Sequence, residues 1–213
     1  MKKIVVFISG SGTNLQAIID ACESNYISNG LISLVISNNP NAYGLVRAEK
    51  FNIPTKIINN KEFKTRKDFD GEIKKILNEI NPDLVVLAGF MLVLGKDLVK
   101  SFYGKIINIH PSLLPLYPGL NTHQKVIQNN DLSHGVTVHY VSEELDAGPI
   151  IIQGSIKVDD SDVIENLIDR IHKVEHLIYP KIIKEICNEE VTLINSKVHY
   201  KNKSVQRVKY YEI

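Results

Sequence analysis

The stretch "IINIHPSLLP", residues 106–115, sets an amide and an imidazole where a buried strand would carry Val and Ile. Asn108 and His110 are two apart, so on an extended chain they project from one face. Pro111 disfavours helix at His110 and keeps it extended. An amide can donate a hydrogen bond to a developing oxyanion, and an imidazole can act as acid or cationic stabiliser. In open α/β sheets ligands bind beyond the carboxyl ends of strands, where this pair should fall. The competing reading is a polar core pair satisfied by backbone. The rigid "PSLLPLYPG" that follows favours a site.

Three other groups carry polar chemistry. In "EELDAGPI", residues 143–150, Asp146 is either a turn former or the partner that orients a histidine ring. Spacing alone leaves both open. In "SGSGTN", residues 9–14, Gly10 and Gly12 let the backbone approach a ligand closely between a strand and a helix. The turn amides would then face an anion. The spacing is neither G-x-G-x-x-G nor a Walker loop, so a phosphomonoester fits better than a dinucleotide. The alternative is an ordinary βα turn capped by Thr13 or Asn14. Glu175 sits near the centre of an apolar stripe of Ile164, Ile168, Ile171, Ile178 and Ile182. A buried carboxylate without compensation costs several kcal/mol. Glu175 therefore either emerges into a cleft, where it could bind sugar hydroxyls, or has a partner; the bland alternative is a helix end exposed near the bend expected at Pro180.

Of the remaining histidines, His123, His134 and His139 are expected to be structural or peripheral. His172, His176 and His199 show no metal-ligand spacing with a further ligand, and neither HExxH nor CxxC occurs, so no metal is expected. The implied chemistry is acid–base work and oxyanion stabilisation without a covalent enzyme intermediate.

The elements that must position these groups alternate along the chain. Strands are expected at Ile4–Ile8, Leu31–Ile36, Thr55–Ile58, Leu84–Ala88, Ile106–Ile109, Val136–Tyr140 and Ile150–Ile156. Helices are expected at Asn14–Cys22, around Ala42–Lys50, along the stripe of Ile73, Ile76, Leu77 and Ile80, and from about Ser161 to Cys187. This order argues for a single α/β domain over residues 1–190: a mostly parallel twisted sheet with helices on both faces, Rossmann-like. Residues 191–213 read as a strand-like tail packed on the same domain. The tail is basic through Lys197, Lys201, Lys203, Arg207 and Lys209, and is assigned no function.

Twenty-five basic against 24 acidic residues leave a formal charge of +1, which gives no electrostatic reason to expect nucleic acid. No apolar run is long enough to cross a bilayer. The run Ile4–Ile8 is too short for a secretion-signal core. Two scattered cysteines, Cys22 and Cys187, make no disulfide framework, which favours a reducing cytoplasm.

Taken together, "VVFISGSGTNLQAIIDA" (5–21), "DLVVLAGFM" (83–91), "NIHPSLLPLYPG" (108–119), "ELDAGPIIIQ" (144–153) and "EHLIYP" (175–180) resemble the phosphoribosylglycinamide formyltransferase family. These are folate-dependent enzymes of purine synthesis, and the resemblance covers roughly residues 4–188. It implies transfer of a formyl group from 10-formyltetrahydrofolate to the amine of glycinamide ribonucleotide (GAR). It implies a catalytic trio of Asn108, His110 and Asp146. It places the GAR phosphate on Gly12, Thr13 and Asn14, and the ribose near His172, Lys173, Val174 and Glu175. The folate would use Arg66, Met91, Leu92, Val93, Leu94, Asn108 and the loop Ser142, Glu143, Glu144, Leu145 and Asp146. Many relatives carry a basic residue where this chain has Leu92, leaving Arg66 as the basic candidate for the folate's glutamate tail.

The partners so implied are small molecules, with neither nucleic acid nor membrane, and monomer and homodimer both stay open. A methionyl-tRNA formyltransferase would be expected to add a C-terminal domain, and a formyltetrahydrofolate hydrolase an N-terminal one. A non-enzymatic nucleotide-binding module would explain the glycine loop but leave the trio without a role.

Overall fold

The central apolar runs form β1 (Lys2–Ile8), β2 (Gly30–Ser37), β3 (Thr55–Ile57), β4 (Leu84–Leu87) and β5 (Ile106–His110). The computed structural model describes residues 1–159, 161–201 and 208–211. Lys203 and Arg207 of the basic tail lie outside the described residues. Connecting helices are α1 (Thr13–Glu23), α2 (Tyr43–Lys50), α3 (Arg66–Ile80), α4 (Lys96–Ser101) and α5 (Thr122–Gln128). The chain continues through β6 (Ser133–Tyr140), β7 (Ile150–Lys157), α6 (Ile164–Cys187), β8 (Val191–Ile194), β9 (Lys197–Tyr200) and β10 (Val208–Tyr210).

Eight strands form one sheet in the order β10-β7-β6-β5-β4-β1-β2-β3. From β3 to β5 every pairing is parallel, as is β7 with β10, whereas β6 runs antiparallel to both β5 and β7. A nine-residue connection joins β6 to β7, long enough for a hairpin and too short for the crossover helix that parallel neighbours need. The result is the mostly parallel sheet expected, with an antiparallel departure at β6. Strands β8 and β9 pair separately, and Val191 of β8 is buried in the main core.

The two-residue period of β1 distributes its side chains to two cores. Ile4, Val6 and Ile8 pack with Leu15 and Ile18 of α1 and Ile171 and Ile178 of α6. Val5 and Phe7 pack on the other face with Phe69 and Ile73 of α3 and Leu98 of α4. With both faces covered, β1 has no polar position between Ile4 and Ile8, which is why it reads as a continuous apolar run.

Helix α6 is a single 24-residue element with Pro180 inside it. The hydroxyl of Tyr179 donates to the Leu87 carbonyl at 2.8 Å, and lies 3.3 Å from that of Ile107. It thereby ties α6 to the carboxyl end of β4 and to the second residue of β5. Glu175 lies one turn earlier on the same helical face, so this bond holds Glu175 beside the strand ends.

Candidate active site

A cavity of about 750 Å³ opens at the carboxyl ends of β1, β4 and β5. Such a volume suits a small-molecule site. The glycine loop, Asn108, His110, Asp146 and Glu175 all line it.

Strand β5 delivers Asn108 and His110 from its carboxyl end, as their spacing predicts. His110 is buried, 6% exposed, between two acceptors. Its Nε2 lies 2.9 Å from the Tyr117 carbonyl, and its Nδ1 faces Oδ2 of Asp146 at 3.4 Å. Only the doubly protonated ring can donate at both positions. Asp146 Oδ2 also accepts from the Gly119 amide at 2.8 Å, so one carboxylate joins the loop after β5 to the loop before β7. Asp146 and Tyr117 both adopt left-handed backbone, with φ of 50° and 53°. Asp tolerates that region through its short polar side chain, whereas a tyrosine there is an outlier held by its surroundings. Of the two readings left open for Asp146, turn former and histidine partner, the structure supports both at once.

His139, on β6 beside Asn108, is nearer the site than expected. Its Nδ1 lies 3.0 Å from the Tyr140 carbonyl, which fixes the proton there and leaves Nε2 as acceptor. Nε2 stands 3.2 Å from the Asn108 amide nitrogen and 3.8 Å from Asp146 Oδ1. Burial pushes the His139 pKa below the ordinary imidazole value, more than the Tyr140 carbonyl and Asp146 raise it. His123 likewise lines the cavity and meets His134 at 2.9 Å. Burial holds this pair neutral, with pKa values pushed down to about 4 and about 3. The signal for His139 was its alternate position on a strand that pairs with β5, and that pairing is invisible in the sequence.

At the glycine loop the turn is made by Gly12, with φ of +72°, at the N-cap of α1. No side chain caps this helix, contrary to the alternative in which Thr13 or Asn14 would do so. The first amides of α1 are therefore open to an anion. Asn14 instead turns its Nδ2 to Glu175 Oε2 at 2.7 Å. Glu175 is 5% exposed, and burial pushes its carboxyl up to about 7 against the opposing pull of the Asn14 bond. Asn14 Oδ1 is buried without a hydrogen-bond partner. The pair thus keeps an acceptor in reserve at the cavity wall.

The loop after β4 and the loop before β7 form the mouth, apolar on the first side and mostly polar on the second. Met91, Leu92, Val93 and Leu94 line one side, and Ser142, Glu143, Glu144 and Leu145 the other. Met91, Val93 and Leu145 remain largely exposed at that rim. Ser9 Oγ accepts from the Met91 amide at 2.8 Å and so links this mouth to the glycine loop.

Three expected residues are not brought to the cavity. Arg66 lies off its wall and spends its Nε on Asp70 at 3.1 Å. Lys173 is exposed on the outer side of α6. Val174 is fully buried and sits over Gly154 of β7, where a missing Cβ leaves room for it. Helical rotation explains the last two: His172 and Glu175, three apart, share the cavity face, and the residues between them do not. Among the described residues no group of three or more His, Cys, Asp or Glu could hold a metal ion, and no helix is long and apolar enough to cross a membrane.

Comparison with known proteins agrees with this geometry. Residues 2–183 match the formyl transferase family. The phosphoribosylglycinamide formyltransferase of Haemophilus influenzae is 44% identical over 210 residues, 99% of each chain. That of Escherichia coli is 46% identical over 180 residues, 84% of each. The solved structure of the Coxiella burnetii phosphoribosylglycinamide formyltransferase superposes with a TM-score of 0.92 at 43% identity, covering 99% of both chains. Fold, cavity and sequence thus point the same way, and the chain belongs to the formyl transferase family.

Proposed function

We propose that this chain is a phosphoribosylglycinamide formyltransferase, an enzyme of purine biosynthesis that formylates the amine of GAR. The observation that carries the reading is His110 held between the Tyr117 carbonyl and Asp146, beside Asn108, in a cavity that also contains an uncapped helix N-terminus. The near-full-length likeness to the Haemophilus enzyme supports the acceptor.

The formyl donor is 10-formyltetrahydrofolate, bound with its ring system in the mouth between Met91–Leu94 and Ser142–Asp146. The GAR phosphate rests on the Gly12, Thr13 and Asn14 amides, with the ribose toward His172 and Glu175. The free amine attacks the formyl carbon, forming a C–N bond and a tetrahedral oxyanion. Asn108 Nδ2 and the His110 imidazolium stabilise that charge, and Asp146 orients and complements the ring. Collapse of the oxyanion breaks the bond to N10 of the folate, and the proton lost by the amine passes to N10 through water. Each positioned donor contributes about 2.7–4 kcal/mol, by analogy with oxyanion-hole deletions. A cytoplasmic site of action fits the two unpaired cysteines.

The test is an assay with 10-formyltetrahydrofolate and GAR that follows tetrahydrofolate and formyl-GAR together. Stoichiometric appearance of both supports the reading. Folate release with no formyl-GAR would replace it with a hydrolase.

A further inference from the structure

The proposed ligands are anionic, yet among the described residues no lysine or arginine lines the cavity. Four carboxyl side chains do: Glu143, Glu144, Asp146 and Glu175. Backbone amides alone would have to hold a phosphomonoester beside those carboxyl groups.

A guanidinium stands directly behind the glycine loop. Arg47 of α2 donates from Nε to the Ser11 carbonyl at 2.9 Å, and from Nη1 to Oε1 of Gln16, in the first turn of α1, at 3.1 Å. Its guanidinium carbon lies 5.0 Å from the centroid of the Tyr43 ring, a cation–π contact that helps hold the side chain in place. The loop and α2 are in close contact: the Gly44 amide donates to the Gly10 carbonyl at 3.1 Å, and a Cβ on Gly12 would come within 3.5 Å of Arg47 Cδ. In a trans peptide the carbonyl and the next amide point in opposite directions. Arg47 draws the Ser11 carbonyl toward α2, so the Gly12 N–H is aimed away from α2. The same charge reaches α6, where burial first, then His172 and Arg47, hold the His176 imidazole below its ordinary pKa.

We propose that Arg47 is a positioning and specificity residue for the acceptor's phosphate: it orients the Ser11–Gly12 peptide and supplies, from behind the loop, the positive charge that the cavity wall lacks. This rests on the GAR reading above, in that the ligand of the loop is taken to be a sugar phosphate. A phosphorylated acceptor gains from that charge, whereas its unphosphorylated riboside does not.

The experiment compares GAR with glycinamide riboside in wild type, Arg47→Gln and Arg47→Lys. With Arg47→Gln the KM for GAR should rise about tenfold, the loss expected for one charge-assisted interaction, while kcat and the donor KM stay within about threefold. The preference for GAR over the riboside should shrink by the same factor. Arg47→Lys, which keeps charge but not the fork, should recover part of it. A merely structural Arg47 would weaken both acceptors equally, and that result, or an unchanged GAR KM, overturns the proposal. Calorimetric binding of ribose 5-phosphate separates the two readings. Arg47-dependent binding in a chain without formyl transfer would leave this inference standing and remove the function. Intact transfer with Arg47-independent ribose 5-phosphate binding would do the reverse.

Discussion

Nε2 of His139 lies 3.2 Å from the amide nitrogen of Asn108, and the Tyr140 carbonyl keeps that ring nitrogen free of a proton. An asparagine amide has two nearly equivalent orientations, and this contact selects the one in which nitrogen, not oxygen, faces His139. His139→Ala should therefore lower kcat about tenfold with little change in either KM, the worth of one buried hydrogen bond. In a double-mutant cycle its effect should largely vanish when Asn108 is already alanine. Additive effects would mean that His139 acts elsewhere.

Asn108→Ala and His110→Ala should each reduce kcat on the order of 10²–10³-fold, the range for removal of an oxyanion donor. Both residues stand at the carboxyl end of the interior strand β5 and outside the two apolar cores, so thermal midpoints should move by only a few degrees. Steady-state kinetics with matched melting curves check this. Near-normal turnover in both variants would remove the proposed trio.

Asp146 has two tasks that substitution can separate. Asp146→Asn removes the charge beside His110 but retains an oxygen able to accept from the Gly119 amide. It should lose at least tenfold in kcat while the Gly119 amide keeps its hydrogen-exchange protection. Asp146→Ala should lose both. Equal protection in the two variants would show that the carboxylate does not anchor the loop.

Glu175 carries a stability signature. Its carboxyl is raised by burial from 4.5 to about 7, so between those values the folded state holds a proton that the unfolded chain has released. The unfolded state then binds fewer protons, and stability falls as pH rises through that window. The loss reaches up to about 3 kcal/mol above pH 7, because each pH unit crossed in the window costs about 1.4 kcal/mol. Glu175→Gln, neutral at every pH, should flatten that part of the curve and be the more stable protein at pH 8. Thermal melts from pH 5 to 8.5 test it, and parallel curves for the two proteins would contradict it.

Much of the site was legible because it lies where local rules are strongest. Asn108 and His110 stand at a strand end before a proline, Gly12 opens a helix, and Glu175 interrupts an apolar stripe. What stayed hidden depends on pairing across the sheet or on helical rotation. His139 matters only because β6 runs antiparallel beside β5, and Arg47 only because α2 packs on the glycine loop. Helices α4 and α5 have six and seven residues, too few for an apolar period to emerge, so the sequence pattern predicts no element there. Val174 shows the limit of reading a motif as a contiguous block. His172 and Glu175 on either side of it face the cavity, and it faces Gly154.

Gly12 offers the closest test of the link between the loop and α2. With φ of +72° it occupies backbone that residues with a Cβ rarely adopt, and an added Cβ would lie 2.6 Å from Gly44 Cα. Backbone cannot retreat as a flexible side chain could, so Gly12→Ala must shift the turn away from α2. That movement disturbs the Ser11 carbonyl held by Arg47 and the amides at the start of α1 together. The expected result is a KM for GAR raised more than tenfold, with the folate KM near the wild-type value, since the donor's mouth is built from other loops. The strain itself should cost about 1–3 kcal/mol of stability, the range for a residue forced into sparsely populated backbone. A melting curve gives that figure, and titration of each substrate in turn gives the two constants. If Gly12→Ala instead weakened donor and acceptor alike, the glycine turn would serve the whole cavity and not its phosphate end.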